Sequence, residues 1–282
     1  MNTEEGREIA IRRILVALDA STHSLAALEA AVKLAASLKA EIVGLFVEDV
    51  NLLRLAGLPF ARELRYPLAS RPLDSGRMEQ ELRLQAAQAR RALVAAAERR
   101  EVHWSFRVVR GQVTPEVLAA ALEADLLTLG RASRSLTRRV RLGSTARAAL
   151  YETPGSVLLV QQGLGDHHPV IVTYDGSALA GQALRVAADM ARANGGNLLV
   201  LLIAGETAVA ERLGEEVAER LRPLHVKAEY RRLPRADAAS VAEAVRLERG
   251  GALVLGGERA LWPAEVVQAL LDELDCPVLL VR

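Results

Sequence analysis

Aromatic residues are almost missing from this chain: three Phe, two Trp and four Tyr make up 3% of 282 residues, although 51% are hydrophobic. Its cores must therefore be packed from Ala, Leu and Val, which suits helices laid on parallel sheet. Cysteine is reduced to Cys276, which excludes an internal disulfide and fits a reducing compartment. It stands in the apolar run CPVLLV, where a small buried hydrophobe is the simplest reading. Lysine is scarce too: Lys33, Lys39 and Lys227 are the whole complement, so the positive charge is Arg. Neither sign is in excess, with 36 basic against 35 acidic residues for a formal net of +1. That speaks against a dedicated nucleic-acid binder, which shows a strongly basic face. No window approaches the roughly 20 uninterrupted apolar residues of a membrane span. The segment MNTEEGREIAIRRILVALDA opens acidic, with an apolar run too short for a signal sequence. The expectation is a soluble, cytoplasmic protein with no nucleic acid or membrane among its partners.

What is present is a repeat. RRILVALDAS, with Asp19 closing a strand-like run, returns as HPVIVTYDGS with Asp175, an offset of 156 (175 − 19). The same offset carries Ala27-Leu28 onto Ala183-Leu184, Ala31 onto Ala187, and Val43–Val47 onto Leu199–Ile203. Later, LLTLG ending at Gly130 matches ALVLG ending at Gly256, and SVLLV to Val160 matches PVLLV to Val281, so the second copy has lost material. A whole domain is duplicated, at a length comfortable for two. The boundary falls in QQGLGDHHP, giving domains 1–164 and 165–282.

Within the first copy, apolar runs and helical periodicity alternate. They predict strands at 14–18, 41–47, 104–109, 126–129 and 157–160, and helices at 24–38, 78–100, 114–123 and 144–151. Ser21 or Thr22 can cap the first helix, and Thr114-Pro115-Glu116 reads as cap, first-turn Pro and first-turn acid. Such alternation means an α/β fold: two tandem, doubly wound, five-stranded, Rossmann-like parallel sheets. Ligands of such sheets bind beyond the carboxyl ends of the strands. The segment 50–77 is an insertion, broken by three prolines and two glycines, so it cannot be one helix. Its apolar residues Leu52, Leu53, Leu55, Leu58 and Phe60 suit a lid over the ligand side, a contact to the other domain, or a loop packed on the surface.

After strand four comes LGRASRSLTRRVRLGSTARAAL, with Gly130, then Ser133, then Gly143-Ser144-Thr145 at a helix start. This is the make-up of an anion cradle. Glycines let backbone approach a phosphate, and a helix's first turn offers free N–H groups and a positive dipole end. Ser144 and Thr145 add hydroxyls that can also face a phosphate-bound Mg2+. Arg131, Arg134, Arg138, Arg139 and Arg141 in the loop favour a polyanion.

The pattern resembles the Gly-x2-Gly-x9-Gly-(Ser/Thr) signature of ATP-binding universal stress proteins, and each half of the chain resembles one domain of that family. The resemblance implies a stress-response or signalling module with an adenine nucleotide, ATP, in its first domain. It places Ala17, Asp19 and Val47 at the nucleoside, and Gly130, Ser133, Gly143, Ser144 and Thr145 at the phosphates and ribose. Ser133 departs from the pattern, standing where the family usually has its second Gly. If that position needs positive φ, Ser costs on the order of 1 kcal/mol. Family domains also pair through their last strands. SVLLV and PVLLV are therefore expected to pair with each other as a pseudo-dimer within one chain, with further homodimerisation left open.

The second copy keeps Asp175, Gly176 and Ser177, but GERALWPAEVVQALLDELDCP has no later Gly-(Ser/Thr), and Glu258 adds negative charge. No ATP is expected there. Asp19 alone can equally cap the following helix, the arginines can be a solvated or partner-docking surface, and Trp104 and Trp262 read as packing or loop residues. No Walker sequence, Gly-x-Ser-x-Gly elbow or metal-ligand cluster occurs. Three functions stay open: a nucleotide-binding module, a scaffold that binds none because of Ser133, and, behind both, a slow ATPase lacking an evident base.

Overall fold

The computed structural model describes residues 11–58, 62–65, 69–72, 74–131, 142–161, 168–257 and 260–282. The first half runs β1 (Arg13–Ala17), α1 (Thr22–Leu38), β2 (Glu41–Asp49), α2 (Val50–Ala56), β3 (Arg62–Arg65), β4 (Ala69–Pro72), α3 (Ser75–Glu98), β5 (Trp104–Gly111), α4 (Val113–Ala121), β6 (Leu126–Gly130), α5 (Ser144–Glu152) and β7 (Ser156–Val160). The second runs β8 (Val170–Tyr174), α6 (Ala178–Ala193), β9 (Leu198–Ile203), α7 (Thr207–Leu221), β10 (Ala228–Leu233), α8 (Ala238–Leu247), β11 (Ala252–Leu255), α9 (Ala264–Glu273) and β12 (Val278–Leu280).

Ten of these strands form one sheet, in the order β10-β9-β8-β11-β12-β7-β6-β1-β2-β5. Each half contributes five parallel strands, and the seam between β12 and β7 is antiparallel, with Leu279 opposite Leu158. The two final strands thus close each other's edges, which removes two unpaired backbone rows at once. Every residue of β7, β8, β11 and β12 is buried, and these central strands are apolar but for Ser156 and Thr173.

Two apolar layers sandwich the sheet. One holds α1, α3, α6 and α7, the other α4, α5, α8 and α9, and both continue from half to half. The scarcity of aromatics is met by alanine. Ala27 and Ala31 of α1, and their repeats Ala183 and Ala187 of α6, are fully buried, and a Cβ on Gly256 would lie 2.4 Å from that of Ala183. Alanine permits this close approach at little cost in side-chain entropy.

The helix starts show what the sequence left open. Ser21 caps α1 by accepting from Ser24 N at 3.1 Å, and Ser177 caps α6 from Ala180 N at 3.1 Å. Ser21→Ala is therefore expected to cost about 1 kcal/mol in urea unfolding; an unchanged midpoint would refute that role. The reading of Thr114 as a cap is corrected: α4 starts one residue earlier, with Gln112 at the cap and no side-chain bond there. The Thr114 hydroxyl instead shares a 2.9 Å hydrogen bond with that of Thr145.

The described residues of the insertion form the short helix α2, the antiparallel pair β3 and β4, and the start of α3. Leu53 packs on the core while Leu52, Leu55 and Leu58 stay exposed; Phe60 lies outside the described residues. The suggested contact to the other domain is not made by α2, which packs on α3 beside the β2–β5 edge of the sheet, away from the seam.

Candidate functional site

β1 stands between β6 and β2. The connections leaving β1 and β6 pass to opposite faces, because α1 belongs to one layer and α5 to the other. This reversal opens a crevice at the carboxyl ends of the strands. The crevice is a cleft of about 150 Å³. Ala17 and Leu18 of the β1 end, Leu45 and Val47 of β2, and Leu129 and Gly130 of β6 line it from the sheet. Val113 and Val117 of α4 line one side, the first turn of α5 another, and Asp19, Ser21 and Ser24 the rim. Seven of the eight residues singled out from the sequence meet here: Ala17, Asp19, Val47, Gly130, Gly143, Ser144 and Thr145. The eighth, Ser133, lies outside the described residues, as do Arg134, Arg138, Arg139 and Arg141. Val113 and Val117 were missed, although their spacing on the helix after the third core strand gives them one shared face.

Asp19 sits exposed at the rim and accepts from Ser21 N at 2.9 Å. That bond forms a tight turn, and capping of α1 belongs to Ser21 instead. Between them Ala20 takes φ 59°, where the second half has Gly176 at φ 85°. Alanine tolerates that region only at a cost on the order of 1 kcal/mol, so the turn presenting Asp19 is held by its surroundings.

Two helix starts face the cleft. Gly143 caps α5 with backbone at φ −60° and ψ 155° and no side-chain bond, and α4 likewise has no side-chain cap. The first-turn N–H groups have no partner within their own helix, and the positive ends of both dipoles lie at the cleft. The Thr114–Thr145 bond ties the two starts together. Ser144 is exposed at the mouth. Gly130 also has a packing reason: a Cβ there would stand 2.9 Å from the His23 carbonyl carbon, so glycine lets α1 pack on β6.

The equivalent place in the second half is built differently. Asp175 repeats the turn of Asp19, accepting from Ser177 N at 3.0 Å. Trp262, however, is buried and donates its indole N–H to Gly256 O at 3.1 Å. A Cβ on Gly257 would lie 3.0 Å from Trp262 Nε1, and 3.1 Å from both Asp175 Oδ2 and Leu261 Cδ1. The start of α8, which corresponds to α4, is satisfied by Asp237, which accepts from Ser240 N at 2.8 Å. That backbone bond, with the Ser240 hydroxyl, holds the Asp237 carboxyl below its ordinary range. Glu258 lies outside the described residues.

Among the described residues there is no group of three or more His, Cys, Asp or Glu placed to hold a metal, and no helix long and apolar enough to cross a membrane.

Residues 10–161 match the model of the universal stress protein family. In fold, the chain is similar to a universal stress protein from Archaeoglobus fulgidus DSM 4304, with TM-score 0.68 and 16% identity over 98% of this chain and 99% of that one. It is also similar to a functionally unknown protein from Pseudomonas aeruginosa PAO1, with TM-score 0.61 and 15% identity over 97% and 93%. No curated protein matches the chain.

Proposed function

Given that the chain belongs to the universal stress protein family, we propose that it is a stress-response module that binds ATP in the cleft of its first half. One observation carries this reading: two helix starts without side-chain caps converge on a single cleft together with Gly143 and the strand-one Asp. In this reading Ala17, Asp19 and Val47 hold the nucleoside, while Gly130, Gly143, Ser144 and Thr145 surround the phosphates, with Ser133 in the same role. The exposed Ser144 hydroxyl suits a Mg2+ that arrives with the phosphates. Thr145 is less free, since its hydroxyl already meets Thr114.

The described residues of the second half match this cleft less well: Trp262 stands beside Gly256 and Asp237 caps α8, although α9, like α5, has no side-chain cap. Turnover gains little support. Asp19 is the sole carboxylate among the described residues lining the cleft, and it is tied into the turn before α1. The output of binding is then conformation or partner choice rather than chemistry.

A thermal-shift titration tests this. ATP at a hundred times its dissociation constant adds about 2.7 kcal/mol to the folded state, a rise of several degrees in melting temperature. A flat titration, with no nucleotide released on heating the purified protein, would leave the non-binding scaffold as the better account.

A further inference from the structure

Arg131 follows Gly130 at the end of β6 and is only 4% exposed. Its backbone fixes both ends of the loop after β6: its N–H donates to Val160 O at 2.8 Å, and its carbonyl accepts from Gly143 N at 3.0 Å. Its side chain leaves the first half altogether. The guanidinium crosses the seam and donates to the carbonyl of Leu274, the C-cap of α9, with Asp272 and Asp275 nearby. Burial pushes its pKa down while those carboxylates act against the shift. A cation belongs at a helix C-terminus, whose last carbonyls lack partners. Buried as it is, it is strongly disfavoured without that partner.

A second arginine reaches the other way. Arg282, just past β12, donates to the carbonyl of Thr153, the C-cap of α5, at 2.5 Å and to that of Leu150 in its last turn. The helix whose first turn lines the cleft is therefore held at its far end by the second half. The arrangement is not symmetric. The repeat that aligns Gly130 with Gly256 puts Gly257 opposite Arg131. At this position the half with the open cleft carries an arginine and the other half a glycine.

We propose that Arg131 is a positioning residue that couples occupation of the first cleft to the C-terminal cap of α9, so that the second half acts as a brace and readout for the first. The coupling rests on the nucleotide reading given above. An anion drawn onto the start of α5 displaces Gly143. Gly143 is bonded to the Arg131 carbonyl, and the guanidinium, packed in the seam, carries the displacement to Leu274. Coupling through such a contiguous chain is reciprocal, so fixing the cap also strengthens binding in the cleft.

Cys276, the chain's one cysteine, lies two residues past Leu274 and is a built-in reporter. Cys276 is partly buried and desolvation pushes its thiol up to about 11, so labelling by a neutral disulfide reagent is slow and reports how this region covers the thiol. Saturating ATP is expected to slow Cys276 labelling several-fold in the wild type, and hydrogen exchange over residues 270–276 to slow with it. In Arg131→Met, equilibrium dialysis should still show bound ATP at several-fold weaker affinity, while labelling no longer responds to it. The same slowing in both proteins, or none in a wild type that dialysis shows loaded, would overturn the coupling. If Arg131→Met does not fold, Arg131→Lys keeps the charge without the planar fork and is expected to respond partially; a full wild-type response counts against the proposal. A wild type that binds no ATP in dialysis removes the cleft reading itself, and the coupling falls with it.

Discussion

Gly143→Asp is expected to abolish the ATP-dependent rise in melting temperature while leaving the unliganded protein at least as stable as the wild type. The two effects share one cause. Gly143 has extended backbone that any residue adopts, and α5 has no side-chain cap. An aspartate there would accept the first-turn N–H groups and gain a few tenths of a kcal/mol over glycine. Those are the same N–H groups proposed to receive a phosphate. Two unit charges 4 Å apart repel by roughly 4 kcal/mol at an effective dielectric of 20. Screening at the open mouth reduces this, so at least a hundredfold loss of affinity is expected. Calorimetric melting with and without ATP separates the outcomes. A variant that melts normally and still shifts with ATP would remove α5 from the site. One that simply unfolds would show that Gly143 is needed for the fold.

Leu158→Ala is expected to cost about 2–5 kcal/mol, and to take the whole chain down with it in one transition. Leu158 is fully buried on β7 and faces Leu279 of β12 across the seam. Both belong to the apolar layer that holds Ala27 of the first half and Ala187 of the second. Deleting its branched end leaves a cavity among elements of both halves, which have no separate cores into which to retreat. Denaturant unfolding followed by far-ultraviolet circular dichroism and by tryptophan fluorescence provides the check. Trp104 lies in the first half and Trp262 in the second. Coincident transitions at a lower midpoint are expected. Two separated transitions, with only one displaced, would mean that the halves fold independently and the seam is weak.

The sheet was legible because its signals are local and repeated. Asp19 and Asp175 end matching strands, and the 156-residue offset keeps Ala27 and Ala183 at equivalent buried places. The apolar runs SVLLV and PVLLV demanded partners, and they found each other. The misses share a different character. Whether Thr114 caps its own helix or bonds Thr145 depends on how α4 and α5 meet, and periodicity within either helix is silent on that. Arg131 reads from the sequence as one more arginine of a basic loop. Its burial against Leu274 depends on a residue 143 positions away, across the seam. Trp262 left packing and loop open, and its burial and its bond to Gly256 O make it a packing residue. Gly130 lines the cleft, and the nearest obstacle to a side chain there is α1, a contact the motif does not show.

The claim on which the rest depends is that one cleft, in the first half, takes one nucleotide. Isothermal titration of the full chain with ATP in the presence of Mg2+ tests it most directly. One site per chain, lost in Gly143→Asp, is the expected result. No heat of binding, or two sites per chain of which Gly143→Asp removes neither, would contradict it.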